Sequence, residues 1–246
     1  MTHILAQRTW TSIGDGSLVL VPTGSTEQHG PYLPLDTDSV SAAAVVSGVA
    51  DRIRQTTRAG VVLVAPTVPY GASGEHQAFP GTISIGHDSL RAMLIEMVRS
   101  LSAWAGRVVF VNAHGGNIQA LTRAVTQLLA ERHNVAWVPC ATPVGDAHAG
   151  HTETSLMLHI APDTVDMARA VKGNPAPIAD LLAEVTSAGV RGVSPSGILG
   201  DPTGASAVEG EALLEAMVSG VCRRIATADA DHRGCLQDPD APGCGG

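Results

Sequence analysis

Short apolar runs alternate along the chain with longer stretches of helical period. Residues 17–22 (SLVLVP), 61–66 (VVLVAP), 107–112 (RVVFVN) and 135–139 (VAWVP) are rich in Val and Leu and have the length of strands buried on both faces. Between them, 40–54, 90–105 and 118–132 carry the period of amphipathic helices. Each follows a residue able to accept an orphan N–H: Ser39, Asp88 or Ser89, and Asn117. The order β, α, β, α, β, α, β predicts right-handed crossovers and an α/β fold, three layers α-β-α around a mainly parallel sheet. Further on, 191–210 is rich in Gly, Pro and Ser and reads as a long loop leading into a helix over 209–227. From 229 onward (DADHRGCLQDPDAPGCGG) apolar residues almost vanish, which predicts a disordered tail at 229–246 behind a single domain at 1–228. No internal repeat interrupts this order.

Composition narrows the classes of function. With 246 residues, 44% hydrophobic and 15% charged, the chain buries enough apolar surface to fold, so global disorder is excluded. Fifteen Lys and Arg against 23 Asp and Glu leave a net charge of −8, which repels phosphate backbones and anionic lipid. At 3% aromatic content, platforms for base stacking are also scarce, so nucleic acid is not an expected partner. The four cysteines, Cys140, Cys222, Cys235 and Cys244, form no CxxC pair and suggest reduced thiols. The N-terminus lacks the basic-then-apolar order of a leader, and no apolar run reaches the roughly 18 residues needed to span a bilayer. A cytoplasmic protein with no membrane partner is the expectation.

Polar clusters follow the strands: 23–38 (TGSTEQHGPYLPLDTD), 68–85 (VPYGASGEHQAFPGTISI), 113–117 (AHGGN) and 145–155 (GDAHAGHTETS). In a parallel sheet these ends form one rim, where ligands bind. The first cluster holds Glu27, His29, Asp36 and Asp38, the ligand types of Zn, Mn or Fe, and a carboxylate has two oxygens with which to bridge two ions. In extended chain, Glu27 and His29 point to one side; as solvated loop residues they would do no chemistry. His114 follows a strand directly, with two glycines that allow close approach of a ligand, although a helix-capping histidine fits there too. A helix entry near Thr152 turns Glu153 to the rim, and His148 reaches the same space as acid, base or ligand; His151 and His159 read as helix-face residues. Ser73, Glu75 and His76 suit substrate binding or the orientation of ligands, or a local hydrogen bond. GxSxG and P-loop signatures are missing, and Cys140 reads as a buried thiol.

Taken in order, GSTEQHGPYLPLDTD, GEHQAFPGTISI, NAHGGN and HAGHTETS resemble the motif set of the creatininase family of metal-dependent amidohydrolases. The resemblance covers about 19–160 and continues more weakly through GILGDPTGASAVEG. It implies a layered parallel α/β fold, two divalent ions (Zn, Fe or Mn) at the strand carboxyl ends, and a homo-oligomer, commonly a hexamer. By motif, Glu27 and His29 would each ligate one ion, Asp38 would bridge the pair, His114 would complete the first ion's set, and His148 would transfer the proton. Creatininase itself has a Glu two residues after the motif histidine, where this chain has Gly116; Glu153 is the nearest replacement. That departure, with Tyr32 where many relatives have His, argues against creatinine as substrate. Ser73 and His76 are left for substrate binding. The fuller strings YGASGEHQAFPGTISIG, DAHAGHTETS and GILGDPTGASA resemble a peptidase branch of the family. They imply that a metal-activated water cuts a modified peptide before a decarboxylated, oxidatively altered C-terminal Val-Tyr. Other members imply hydrolysis of a small amide, lactam or formamide instead, and a metal-binding scaffold without turnover is the non-enzymatic alternative.

Overall fold

A computed structural model describes residues 3–56, 62–140 and 145–238. Its strands β1 (Ser17–Thr23), β2 (Val62–Val64), β3 (Ala105–Asn112) and β4 (Val135–Pro139) form one parallel sheet in the order β2-β1-β3-β4. Helices α1 (Thr37–Thr56), α2 (Gly86–Leu101) and α3 (Ile118–Ala130) make the crossovers; α4 (His151–Ile160), α5 (Ile178–Val193) and α6 (Ala207–Thr227) follow β4.

Strand alternation sorts the core into two faces. Val19, Val21, Val108, Phe110, Val135 and Trp137 pack with Leu90 and Leu94 of α2 and Leu121 and Val125 of α3. Leu20, Val109, Val111, Ala136 and Val138 turn the other way, onto Val45 and Val49 of α1, Leu156 of α4 and Met217 and Val218 of α6. Both faces of the sheet are therefore covered, which is why its strands read as unbroken apolar runs. Because α1 leads from β1 to one side and α2 leads back across β1 to the other, the strand order reverses between β1 and β3. A crevice opens there, at the carboxyl ends of these two strands.

Several boundaries differ from the sequence expectation. Helix α1 starts at Thr37, so Asp38 lies in its first turn, and the Ser39 hydroxyl donates to the Ser25 carbonyl instead of capping. Helix α2 starts at Gly86 and ends at Leu101, with Ala105 already in β3. Asn117 precedes α3, but its side chain ties loops together, accepting from Ala72 N and donating to the Gly24 carbonyl and Asn112 Oδ1. Residues 191–193, expected in a loop, end α5, a helix that buries only Val190 and is broken at Gly189 (φ 70°). The tail expected to be disordered from 229 is instead packed as far as 238. Trp137 N donates to the Gly234 carbonyl and Leu236 N to the Trp137 carbonyl, so the segment lines the free edge of β4 and buries Leu236 completely. Two adjacent apolar residues, Cys235 and Leu236, are enough to anchor it; Val61 and 239–246 lie outside the described residues. Among the described residues, no helix is long and apolar enough to cross a membrane.

Candidate metal centre

Four separate segments meet in the crevice. The loop after β1 is closed by Glu27 N donating to the Leu35 carbonyl at 2.9 Å, and it carries Glu27 and His29, both fully buried. Asp38 enters from the first turn of α1 and Glu153 from the first turn of α4, so each carboxylate stands at the partially positive end of a helix. His114 enters from the end of β3, and His148 from the strand-like segment before α4, where it pairs with Leu199.

Asp38 divides its oxygens between two imidazoles. Oδ1 lies 3.4 Å from His29 Nε2, and Oδ2 lies 3.2 Å from His114 Nδ1 while accepting from Ser25 Oγ at 2.7 Å. Glu27 Oε2 is 3.2 Å from His114 Nε2, and Glu153 Oε2 is 3.9 Å from His29 Nε2. On the near side His76 Nε2 and His148 Nδ1 approach Glu27 Oε1 at 3.3 and 3.8 Å. The rings of His29, His148 and His76 form a row with successive centroids 4.4 Å apart. Ligand atoms of Glu27, His29 and Asp38, of His29, His148 and Glu153, and of Glu27, His76 and His148 each fall within 4.8 Å of one another.

The donor set fits a divalent cation. Glu27 is fully buried, yet among the described residues neither of its oxygens meets a donor in hydrogen-bonding geometry. A carboxylate so placed costs several kcal/mol unless it is protonated or meets a cation. Burial accordingly pushes Glu27 up to about 7, and Glu153 likewise up to about 7. Burial would depress His29 and His114, but the carboxylates around them prevail and lift them to about 10 and about 9. Burial would raise Asp38, but His29 and His114 hold it well below its usual range. His148 and His76 behave oppositely: burial and neighbouring imidazoles keep the first well below its ordinary value and the second at about 3.

The structure thus gathers Glu27, His29, Asp38, His114, His148, Glu153 and His76 in one place. Ser73 is there too, but it is fully buried with Oγ 3.3 Å from His114 Nε2, a position that steadies this ring. Asp36 is exposed and stays apart. His151 pairs outward with Glu209 at 2.6 Å and His159 is exposed, so both are helix-face residues as expected. Burial pushes the Cys140 thiol up to about 12, which makes it inert. Gly116 has no room for a side chain: a Cβ there would stand 2.3 Å from the Ala72 carbonyl oxygen, 2.5 Å from His114 Nε2 and 2.6 Å from Glu75 Oε1. The residue the sequence did not single out is Gln28, whose amide touches two of the histidines; its only sequence signal is its place between Glu27 and His29.

Between His148 and Glu153 the backbone is held unusually. Ala149 stands in the left-handed region (φ 49°), its N–H donating to Glu153 and its carbonyl accepting from the Tyr32 hydroxyl, which also lies 2.9 Å from Thr154 Oγ1. Asp146 caps α4 through the N–H groups of His151 and Thr152.

A parallel α/β sheet with imidazoles and carboxylates at its switch point is the architecture of the creatininases, and the chain belongs to the creatininase family: the family model for creatinine amidohydrolase matches residues 6–225. Within the family the similarity is greater to peptidases than to creatininase. The chain is 53% identical over 219 residues to the mycofactocin precursor peptide peptidase of Mycolicibacterium smegmatis (strain ATCC 700084 / mc(2)155), covering 89% of this chain and 88% of that one. It is 54% identical over 220 residues to the same-named protein of Mycobacterium ulcerans (strain Agy99), covering 89% and 86%. Against creatinine amidohydrolase of Pseudomonas putida the identity is 28% over 238 residues, covering 85% and 88%. A solved manganese form of creatininase superposes with a TM-score of 0.74 at 27% identity, covering 92% of this chain and 98% of that one.

Proposed function

We propose that this chain is a metal-dependent peptidase that removes the modified C-terminal Val-Tyr dipeptide from the mycofactocin precursor peptide. The observation that carries the hydrolytic part is the buried Glu27 carboxylate without a hydrogen bond, ringed by His29, Asp38, His76, His114 and His148. The likeness to peptidases over most of the chain carries the substrate. Glu27, Asp38 and His114 would hold one ion; His29, Asp38 and Glu153 would hold the other, Glu153 standing in for the carboxylate that Gly116 cannot supply. Divalent ions there supply Lewis acidity, which polarises an amide carbonyl and acidifies water. Imidazole and carboxylate without thiolate suit zinc, iron and manganese alike, and creatininase itself has been solved in zinc and manganese forms.

The chain's own part is to place the peptide and move a proton. His148 is neutral and faces Glu27 with Nδ1. It takes a proton from the attacking water and returns it to the valine nitrogen as the C–N bond breaks. Ser73 steadies His114, and His76 faces the substrate. Self-association, with a hexamer as the expected form, and a cytoplasmic location complete the reading; Trp10 and Val208, 85% and 80% exposed, are apolar side chains that such an assembly would cover.

Mass spectrometry of the modified precursor incubated with metal-loaded protein tests the proposal. Two products are expected, the truncated peptide and the species derived from Val-Tyr. An intact peptide alongside turnover of a small amide would replace the reading with a small-molecule amidohydrolase, and binding of ions with turnover of neither would leave a scaffold.

A further inference from the structure

Gln28 is 5% exposed, and its amide has more partners than protons. Oε1 accepts from Gly30 N at 2.9 Å. Nε2 lies 2.9 Å from His76 Nδ1, 3.0 Å from His148 Nε2 and 2.9 Å from the Gly197 carbonyl. The flipped amide would set N–H against the Gly30 N–H and oxygen against the Gly197 oxygen, so the orientation is fixed. His148 Nε2 also lies 2.8 Å from the Gln28 backbone carbonyl, which only accepts. His148 Nε2 therefore carries a proton and has no lone pair for the Gln28 amide, while Nδ1, 3.8 Å from Glu27 Oε1, is beyond hydrogen-bond reach of it and is left bare. The two amide protons then go to the two acceptors that remain, the Gly197 oxygen and His76 Nδ1. With Nδ1 accepting, neutral His76 carries its proton on Nε2. That N–H is not spent on Glu27, whose oxygens meet no donor in hydrogen-bonding geometry among the described residues.

We infer that Gln28 is a positioning residue that sets two imidazoles in opposite roles: His148 presents a bare Nδ1, and His76 presents an Nε2–H donor. The donor suits His76 to bind the oxygen of the scissile carbonyl, and it excludes His76 from ligating an ion through Nε2. Gly197 belongs to the same device, because its φ is +82° and a Cβ there would stand 1.9 Å from Gln28 Oε1. The inference about turnover rests on the hydrolytic reading above, whereas the tautomers do not depend on any substrate.

Long-range 15N–1H correlation on zinc-loaded, 15N-histidine-labelled protein reads the tautomers directly, with His76→Asn and His148→Asn used only to assign resonances. Both rings should be neutral with the proton on Nε2. Gln28→Glu, which puts an acceptor where the amide donated, should move the His76 proton to Nδ1. With zinc content unchanged, it should also lower kcat about a hundred-fold, the scale of losing one oxyanion donor, with KM little altered. A wild-type spectrum with either proton on Nδ1 overturns the inference, even if the variant fails to fold. So does a Gln28→Glu spectrum in which His76 is unchanged. Correct tautomers in a protein that leaves the peptide intact would instead count against the peptidase reading alone.

Discussion

Ions and protons compete for the same ligand atoms, so stripping the centre with a chelator and refilling it should release a countable number of protons. In the metal-free site His29 and His114, lifted to about 10 and about 9, are protonated at pH 8 and at pH 6. Glu27 and Glu153, raised to about 7 by burial, are mostly ionised at pH 8 and mostly protonated at pH 6. Asp38 is ionised and His148 and His76 are neutral at both, so they add nothing. Refilling should therefore release about two protons per chain at pH 8 and about four at pH 6. Apparent affinity falls with falling pH, more steeply below pH 7 than above. Stability follows with a definite sign. All four groups have folded pKa values above their ordinary 4.5 or 6.5, so the stability they give the metal-free chain is full below those values. It is lost as pH rises through about 7 for the carboxyls and through about 9 to 10 for the imidazoles. The melting temperatures of loaded and metal-free protein should thus draw apart as pH rises. Isothermal titration calorimetry in pairs of buffers with different ionisation enthalpies separates the proton count from the heat of binding. Glu153→Gln should subtract about one proton at pH 6 and almost none at pH 8, and should weaken the ion on the His29 side. Fewer than one proton at both pH values, or equal counts, would refute this account of the site.

Asp38→Asn should empty both positions, since Asp38 alone offers one oxygen to each side; two ions per chain by elemental analysis of the variant would disprove the bridge. His148→Ala should keep both ions and lose roughly a hundred- to ten-thousand-fold in turnover, and loss of an ion would make His148 a ligand. Leu236→Ala should cost about 2–5 kcal/mol in urea unfolding, as expected for a fully buried leucine, whereas a loss within error would show that the segment beyond α6 adds nothing to the fold.

The sheet was legible because a parallel strand covered on both faces needs apolar side chains in both directions, and 107–112 and 135–139 are such runs. Three of the site loops were legible because each follows a strand directly, the fourth coming after a short gap, and topology then brings Glu27 and His114 to one crevice. Helix α5 gave little signal, since Val190 is its only buried residue and the chain breaks at Gly189. The packed tail was hidden by its composition: Leu236 works through an edge of β4 that is 99 residues away, a pairing that no local pattern encodes. Gln28 escaped for a related reason. The function of its side chain is to satisfy atoms 48 and 169 positions away, and a lone glutamine carries no mark of that.

Ala149 sets two kinds of selection against each other. A left-handed alanine costs roughly 1–2 kcal/mol, which glycine would avoid. Glycine would in turn give the unfolded chain more freedom, worth about 0.4–1 kcal/mol, and would remove a fully buried methyl packed with Tyr32 and Met157, worth roughly another 0.8 kcal/mol. These nearly offset, so a screen for thermal stability would be almost blind to the choice between the two residues. A screen for turnover would not, because this one residue joins His148 to the turn that carries Glu153, and its stiffness decides how steadily the histidine is aimed. Any bias toward alanine in a randomised library at this position would measure the demand for aim with the demand for stability almost removed.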